Sequence, residues 1–325
     1  MAGRISVAEK GGPEVLRYES FTPGEPGPGE VRVRHTAIGL NFIDVYLRTG
    51  LYPPPGYPFT PGFEAAGVIE ALGEGVSDLR VGQRVAYGTG PAGAYATHRV
   101  MPAAVLVPIP DAIADETAAA IMLKGMTAQY LLRQTHRVLP GETVLIHAAA
   151  GGVGQIATQW AKHLGATVIG TVGGTEKIAF AKAHGCDHVI DYSAEDLVAR
   201  VKDITGGQGV PVVYDGVGKA TFMASLDCLR PRGLMVSFGN ASGPVEPFAP
   251  TLLAQKGSLY LTRPTLFSYT STRAELLACA RELLEVVAAG VVRIEINQRY
   301  PLAEAAQAHC DLEARRTTGA TVLLP

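Results

Sequence analysis

The sequence predicts an α/β protein with a β-rich domain, a doubly wound parallel-sheet domain and a C-terminal segment. Three observations predict this organisation. Short β-type runs bounded by glycine and proline occupy the chain up to about residue 125. From about Met126 to Leu261, apolar strands alternate with helical patterns, which is typical of a parallel sheet covered on both faces. A long helical run followed by shorter patterns occupies residues 262–325.

Length and composition restrict the class of protein. The chain has 325 residues, of which 47% are hydrophobic, enough for two domains with buried cores. Its net charge is −2 and no run of lysine or arginine is present, so we expect no nucleic-acid partner. No apolar run approaches the roughly 18 residues of a membrane span, and no secretory leader pattern is seen, so we expect a cytoplasmic protein without a membrane partner.

The cysteines and histidines do not suggest a metal. Four cysteines stand far apart without a C-x-x-C pair, and none of the eight histidines has metal-ligand spacing. We therefore expect buried free thiols and no metal site.

The strands are predicted from β-type runs in chain order. In the β-rich domain these are EVRVRHTAIGL, FEAAGVIEALG, VGQRVAYG and AYATHRV. In the parallel sheet they are TVLIHAA, ATVIGTV, DHVIDY, VPVVYDGV, GLMVSFG and SLYLTR.

Local signals mark helix ends. Ser193 and Asp196 fit an S-x-x-D capping box before LVARVKDI, and Gly185 and Gly206 fall where C′ glycines belong. Beyond residue 262 the helix RAELLACARELLEVVAAG precedes VRIEINQRY, a helix opened by PLAEAAQAH, and GATVLLP. The pattern alone leaves open whether this tail forms a third region or completes the first domain.

A glycine-rich turn predicts a dinucleotide site. Ala149, Gly151 and Gly154 fit A-x-G-x-x-G between the strand TVLIHAA and a helix, which is the context that the motif requires. The glycines let the backbone approach a pyrophosphate, and the helix N-terminus offers free N–H groups. Simple strand-to-helix packing is the alternative for such a turn. No G-K-[ST] follows, which disfavours a triphosphate P-loop.

The end of the next strand favours NADPH over NADH. An NAD-selective site places Asp or Glu there to bind the ribose 2′-hydroxyl. Here the chain reads Gly173, Gly174, Thr175, Glu176, Lys177. The glycines leave room, Thr175 can donate, and Lys177 can pair with a 2′-phosphate. Glu176 is the counterargument, but helical spacing is expected to turn it away. A solvated helix-face lysine is the alternative for Lys177.

Several longer stretches carry a family resemblance over essentially the whole chain. They include GLNFIDVYLRTGLYP, PFTPGFEAAGVIEALGEGV, VGQRVAY, GMTAQYLL, VLIHAAAGGVG, DHVIDY and LTRP. With them the chain resembles the medium-chain dehydrogenase/reductase superfamily and, within it, the zinc-free quinone oxidoreductases of the NADPH:quinone reductase and zeta-crystallin branch. The resemblance implies a GroES-like catalytic domain (1–125) that the C-terminal segment (262–325) rejoins, a Rossmann cofactor domain (126–261) and a homodimer.

The same resemblance indicates that zinc is not used. Zinc alcohol dehydrogenases carry G-H-E where this chain has Gly62-Phe63-Glu64, and a metal-binding Cys in the segment that here reads LNFIDVY. The four-cysteine lobe of a structural zinc is missing from the sequence too. Without a Lewis acid to stabilise an alkoxide, alcohol oxidation is not expected. A quinone delocalises incoming charge, so its reduction needs mainly orientation and a few polar groups.

The resemblance also assigns candidate site residues. Asn41, Tyr46 and Tyr52 are the catalytic candidates, with turn or cap chemistry as the alternative for Asn41 and Asp44, and packing for the tyrosines. The pyrophosphate is expected on Gly151, Gly152 and Val153. The remaining cofactor candidates are Phe42, Thr127, Tyr130, Gly173, Gly174, Thr175, Lys177, Tyr192, Phe238, Asn240, Arg263, Leu266 and Arg315, with Arg316 as a competing neighbour of the last.

These assignments predict an NADPH:quinone oxidoreductase that transfers hydride without a metal. The first alternative is an NADPH-dependent reductase of an alkenal, an enone or an enoyl thioester, with Tyr52 as the proton donor. The second is a nucleotide-binding protein with a structural, redox-sensing or RNA-binding role.

Overall fold

The computed structural model describes residues 2–325. Its fifteen strands, in chain order, are β1 (Ala2–Val7), β2 (Leu16–Phe21), β3 (Glu30–Gly39), β4 (Glu64–Leu72), β5 (Arg84–Tyr87), β6 (His98–Pro102), β7 (Val107–Pro108), β8 (Thr143–Ile146), β9 (Thr167–Val172), β10 (His188–Asp191), β11 (Val210–Asp215), β12 (Leu229–Ser237), β13 (Tyr260–Thr262), β14 (Ile296–Pro301) and β15 (Ala320–Leu324).

Ten α-helices connect these strands. They are α1 (Phe42–Thr49), α2 (Asp115–Tyr130), α3 (Gly152–His163), α4 (Ile178–Ala183), α5 (Leu197–Ile204), α6 (Phe222–Cys228), α7 (Thr251–Gln255), α8 (Leu266–Tyr269), α9 (Arg273–Ala288) and α10 (Ala305–Glu313). A π-helical turn over Leu131–Thr135 follows α2 directly.

The chain divides into two compact units. The first comprises the chain up to Met126 together with Tyr269–Ala288 and Ile294–Pro325, and the second comprises Thr127–Ser268 and Ala289–Arg293. The domain limits expected from the sequence, after residues 125 and 261, stay predictions.

The first unit contains a seven-stranded sheet. Its order is β14-β15-β3-β4-β5-β7, and β6 pairs with β3 off this path. The C-terminal strand β15 runs antiparallel to β3, with Val322 opposite Gly39, so the tail is part of this sheet. Inward-facing residues of β3, β4 and β5, including Val31, Val33 and Val85, lie in one apolar cluster with Leu302 of the tail. The register between β3 and β4 brings Gly39 opposite Glu64, which positions the site described below.

The second unit contains a six-stranded parallel sheet. Its order is β10-β9-β8-β11-β12-β13. The strands read as continuous apolar runs because helices cover both faces, as the sequence predicts. The strand order reverses between β8 and β11, and ligands of such sheets bind beyond the carboxyl ends of the strands at this point. The predicted fold class, a GroES-like β-rich domain with a Rossmann sheet, is confirmed.

Two local predictions differ from the structure, and two agree with it. The run AYATHRV starts too early, because its strand covers only His98–Pro102. The cap of α5 is Asp196, whose side chain accepts from the N–H of Ala199, while Ser193 donates to Asp191 instead. Gly185 and Gly206 follow helix ends with φ of 99° and 59°, as expected of C′ glycines.

The remaining expectations concern thiols and membranes. All four cysteines are free, as expected, and three of them are buried. The expectation of burial is wrong for Cys310, which is partly exposed. Within residues 2–325, none of the helices combines the length and the apolar character that crossing a bilayer requires. The cytoplasmic location stays a prediction.

Candidate active site

Asn41 stands between β3 and α1 with extended backbone torsions and begins the helix. Its N–H donates to Asp44 Oδ2 at 2.9 Å, and Gly50 ends the helix with a φ of 77°. The cap chemistry considered for Asn41 and Asp44 is therefore present. The capping box also uses the Asn41 side chain as an acceptor from the N–H of Asp44, and the amide nitrogen of Asn41 makes another contact.

That contact is Glu64, the first residue of β4, whose side chain is fully buried. Glu64 Oε2 accepts from Asn41 Nδ2 at 2.8 Å and from Lys124 Nζ at 2.6 Å, and Oε1 accepts from the N–H of Leu123 at 2.8 Å. Gly39 makes room for the carboxylate, because a Cβ at that position would lie 2.2 Å from Glu64 Oε2. Because Glu64 only accepts, the amide nitrogen of Asn41 must face it.

Sequence reasoning missed Lys124. It lies inside the apolar run AAAIMLKGM of α2, and a single charge inside such a run is the one signal that could have found it. Its partner Glu64 is 60 residues away in the chain, so no local pattern could reveal the ion pair.

Three aromatic side chains follow Asn41 in the chain, and their rings lie near one another. The rings of Phe42 and Tyr46 are 6.2 Å apart, and the rings of Tyr46 and Tyr52 meet edge-to-face at 5.1 Å. Tyr46 is buried and Tyr52 is partly exposed. The structure therefore brings Phe42 and the catalytic candidates together at one end of the first unit's sheet.

A buried hydrogen-bonded chain holds α1 from behind. Arg48 donates to His309 Nδ1 at 3.1 Å, so the proton of this neutral ring lies on Nε2 and points at Tyr95 Oη, 3.0 Å away. The hydroxyl of Tyr95 donates in turn to Asp44 Oδ2 at 3.0 Å. Arg48 also binds both carboxylate oxygens of Glu313, at 2.8 and 2.9 Å.

Burial sets the ionisation of this chain. It raises the pKa of Asp44 from 3.8 to about 7 and lowers the pKa of His309 from 6.5 to about 3. Asp44 Oδ1 has no hydrogen-bond partner among the described residues. The geometry of α1 thus depends on a carboxyl group that titrates near neutral pH.

The glycine-rich turn lies at the carboxyl end of β8. Ala148 adopts a left-handed φ of 51°, Gly151 caps α3, and Gly152 and Val153 form its first turn. A Cβ on Gly154 would lie 2.1 Å from the carbonyl oxygen of Ala148, so only glycine lets α3 approach the turn this closely. The motif predicts that a pyrophosphate binds the N–H groups of this helix end, and that role stays a prediction.

Five candidates meet in and beside the loop that follows β9. Gly173 lies against Tyr192, because a Cβ on Gly173 would stand 2.5 Å from the phenol oxygen. The N–H of Gly174 donates to Asp191 Oδ1 at 3.1 Å, and Thr175 and Lys177 bound a short 3-10 turn. The hydrogen bond from the Ser193 side chain, and then that from the N–H of Gly174, lower the pKa of Asp191.

The position of Glu176 differs from the sequence-based prediction that it turns away from this loop. Its carboxylate lies over Gly174, where an added Cβ would meet Glu176 Oε1 at 2.4 Å. The side chain folds back because Gly174 has no Cβ and leaves that space open. Glu176 is exposed, and salt and solvent screen its charge there.

A second loop follows β12. Arg263 donates to the carbonyl oxygen of Ser237 at 2.7 Å and to Asn240 Oδ1 at 3.2 Å. The ring of Phe238 lies against Gly216, whose Cβ would be 2.9 Å from Cζ. Leu266 is buried at the start of α8. The structure therefore brings Phe238, Asn240 and Arg263 together beyond the ends of β11 and β12.

Asp215, the last residue of β11, fixes the neighbouring loop through buried hydrogen bonds. Sequence reasoning did not identify it as a site residue. Its Oδ1 accepts from the N–H groups of Val217 and Gly218, at 2.8 and 3.0 Å. Its Oδ2 accepts from Ser225, which also contacts His147 Nε2 at 2.9 Å. Burial lowers the pKa of His147, so the ring is neutral. All these groups are buried, and they fix the backbone that follows β11.

The other predicted residues are scattered. Thr127 and Tyr130 are buried in the last turns of α2. Arg315 is exposed just after α10 with a left-handed φ of 59°. Arg316, the alternative candidate for the C-terminal cofactor-binding arginine, forms an ion pair with Asp311. The cofactor roles of all these residues stay predictions.

The position that matches the zinc-binding histidine holds Phe63, whose ring is buried in the apolar cluster of the first unit. Across residues 2–325, no group of three or more His, Cys, Asp or Glu side chains could hold a metal ion. Zinc-free chemistry is predicted because Phe63 replaces the zinc-binding histidine and no cysteine stands in LNFIDVY, and it stays a prediction.

Comparison with known proteins gives matches over the whole chain. Residues 27–111 match the family model of the alcohol dehydrogenase GroES-like domain, and residues 152–285 match that of the zinc-binding dehydrogenases. A quinone oxidoreductase of Pseudomonas aeruginosa is 59% identical over 325 residues, covering 100% of both chains. The 2-haloacrylate reductase of a Burkholderia species is 49% identical, covering 98% of both.

A solved structure supports the same assignment. The Escherichia coli quinone oxidoreductase complexed with NADPH superposes with a TM-score of 0.98 at 50% identity, covering 99% of this chain and 100% of the other. Fold, length and sequence agree across these matches. The chain therefore belongs to the quinone oxidoreductase family of the medium-chain dehydrogenase/reductase superfamily.

Proposed function

We propose that this protein is an NADPH:quinone oxidoreductase that transfers hydride without a metal ion. The observation that carries the proposal is full-length identity of 59% and 50% to quinone oxidoreductases, the second of them solved with NADPH bound. When bound, NADPH supplies a hydride from C4 of its nicotinamide ring. The chain's own residues bind, orient and polarise the reactants.

The residues present fit the dinucleotide. The close approach at Gly154 and the free N–H groups of Gly152 and Val153 form a pyrophosphate cradle at a helix N-terminus. Gly173 and Gly174 lie in contact with Tyr192 and Glu176 beyond β9, and Lys177 supplies a cation for the 2′-phosphate. No carboxylate belongs to the last residues of β9, where an NAD-selective site would have one.

The substrate side of the proposal depends on the first unit. Asn41, Tyr46 and Tyr52 combine one polar amide with two aromatic rings, a composition suited to a flat, conjugated carbonyl compound. The buried chain behind α1 holds these groups in place before substrate binds.

An activated alkene is the second candidate substrate. The 49% identical 2-haloacrylate reductase favours it, and Tyr52 would supply the proton that alkene reduction requires. A panel of quinones, alkenals and haloacrylates with NADPH and NADH, measured as specificity constants, tests both substrates. A quinone reductase should prefer quinones and retain that activity in Tyr52→Phe. A preference for alkenes that Tyr52→Phe abolishes would instead identify the alkene reductase.

We further propose a homodimer through β13. This strand pairs with β12 on one side and is the last strand of its sheet, and Tyr260 on it is 63% exposed. An exposed strand edge with apolar side chains can pair with a second copy. Sedimentation of the intact chain should show a dimer, and Tyr260→Lys should shift it towards monomer. A monomeric wild-type protein would contradict this.

A further inference from the structure

Lys124 has donor capacity that its surroundings do not use. Its side chain is 6% exposed, and among residues 2–325 its ammonium has Glu64 Oε2 as its hydrogen-bond partner, at 2.6 Å. An ammonium has three N–H donors, and an unpaired buried donor costs free energy. An oxygen atom of a bound ligand would satisfy one of the other two.

The ammonium lies within the candidate site. Asn41 Nδ2 and Lys124 Nζ donate to the same oxygen of Glu64, so the two nitrogens are close neighbours. Asn41 is the catalytic candidate at the start of α1, and its buried amide is oriented by this shared oxygen. An oxygen that approaches Asn41 therefore also approaches Lys124.

Packing alone does not account for the ion pair. Glu64 would keep two donors, from Asn41 and Leu123, if Lys124 were absent. A buried ion pair is on average no more stabilising than apolar residues of the same volume. The other charges nearby are occupied: Arg48 binds Glu313, and Asp44 accepts from Asn41 and Tyr95. Lys124 is thus the cation available to a substrate at this place.

We propose that Lys124 is a catalytic residue whose ammonium stabilises the negative charge that forms on the substrate oxygen during hydride transfer. The inference deepens the proposed function and rests on it. The quinone accepts the hydride and is reduced by two electrons, while NADPH is oxidised to NADP⁺. One quinone oxygen then carries a negative charge until a solvent proton completes the hydroquinone. Lys124 keeps its own proton, and its N–H groups bind that oxygen more strongly as the charge develops.

Three variants separate charge stabilisation from folding. Lys124→Met removes the ammonium but leaves Glu64 buried without its counterion. The double variant Lys124→Met with Glu64→Gln removes both charges, so its core is neutral and should fold. Lys124→Arg keeps the charge. Lys162→Met, which breaks the exposed pair with Asp187, is the matched control.

We expect the double variant to lose about 10²-fold in kcat for a benzoquinone, the effect of one lost oxyanion donor, with its NADPH affinity unchanged. Lys124→Arg should recover part of this rate, and Lys162→Met should behave as wild type. A double variant with wild-type kcat would overturn the role, because Lys124 would then only neutralise Glu64. Absence of quinone turnover in wild type would instead contradict the proposed function.

A binding measurement gives a second readout that does not need turnover. The phenolate of p-nitrophenol resembles the hydroquinone monoanion that hydride transfer forms, and its absorbance reports whether the phenol is ionised. In wild type with NADP⁺ the ionisation constant of the bound phenol should be at least about tenfold higher than in the double variant, because a cation favours the phenolate. Equal ionisation constants in the two proteins would place Lys124 away from the substrate oxygen and refute the proposal.

Discussion

Two oppositely charged side chains, Lys177 and Glu176, lie in the loop where the 2′-phosphate of NADPH is expected. Lys177 is the cation nearest in sequence to the end of β9, and two glycines precede it in this loop. Glu176, between them, carries the opposite charge and folds over Gly174. Because the two side chains are neighbours on an exposed turn, the preference for NADPH depends on which one the 2′-phosphate contacts.

The first prediction at this scale concerns Lys177→Ala. A charge-assisted hydrogen bond contributes about 1.5–3 kcal/mol, so the NADPH dissociation constant should rise roughly 10- to 100-fold. The dissociation constant for NADH should hardly change, since it lacks the phosphate. Calorimetric titration with both nucleotides measures this, with the exposed Lys182→Ala as the control. Equal losses for NADPH and NADH would remove Lys177 from the site.

The second prediction at this scale concerns the titration of Asp44. Its pKa is raised by burial from 3.8 to about 7, so between these pH values the folded state binds a proton that the unfolded state has released. The stability that this group contributes is therefore present below pH 4 and is lost as the pH rises through 7. His309 acts in the opposite direction, because its pKa is lowered to about 3.

Asp44→Asn isolates this effect. Urea unfolding of wild type and variant between pH 4 and 8 should show the wild-type advantage falling as pH rises, with a slope of up to about 1.4 kcal/mol per pH unit. The difference should become constant above the pKa. A difference that does not vary with pH would mean that Asp44 is already ionised throughout the range.

At the scale of elements, the strands were predictable because their apolar runs are long and regular, whereas the site contacts were not. The run of β11, Val210–Asp215, is an example of a strand that its sequence predicts. The Glu64–Lys124 pair joins residues 60 positions apart, and it forms because helix α2 lies beside the first residue of β4. The predicted run begins before the strand at His98–Pro102 because Tyr95 and Thr97 are also β-forming types.

One glycine supports the junction of β8 with α3. Gly154→Ala would place a methyl group 2.1 Å from the carbonyl oxygen of Ala148, so the helix must move away from the turn. We expect a loss of about 1–3 kcal/mol of stability from overpacking, together with weaker NADPH binding. Gly24→Ala, whose added methyl would meet only Val100 at 3.9 Å, is the matched control. Unchanged thermal unfolding and NADPH affinity in Gly154→Ala would show that close packing is not required there.

At the scale of the whole molecule, the chain brings distant segments into one sheet. Residues at the C-terminal end, in β14 and β15, complete the sheet that β3 and β4 begin. The sequence pattern left this pairing open, because hydrogen bonds between strands far apart in the chain leave no local signal. By resemblance, Phe63 takes the position at which zinc enzymes have a histidine. Lys124 and Asn41 both bind the buried carboxylate of Glu64.

The central claim is metal-free reduction of quinones by NADPH, and anaerobic turnover in a strong chelator tests it most directly. The purified protein, benzoquinone and NADPH are combined with excess chelator, and NADP⁺ and hydroquinone are quantified. The predicted result is one hydroquinone for each NADPH consumed, at the rate seen without chelator. Loss of turnover in chelator, with recovery on adding zinc, would contradict the claim.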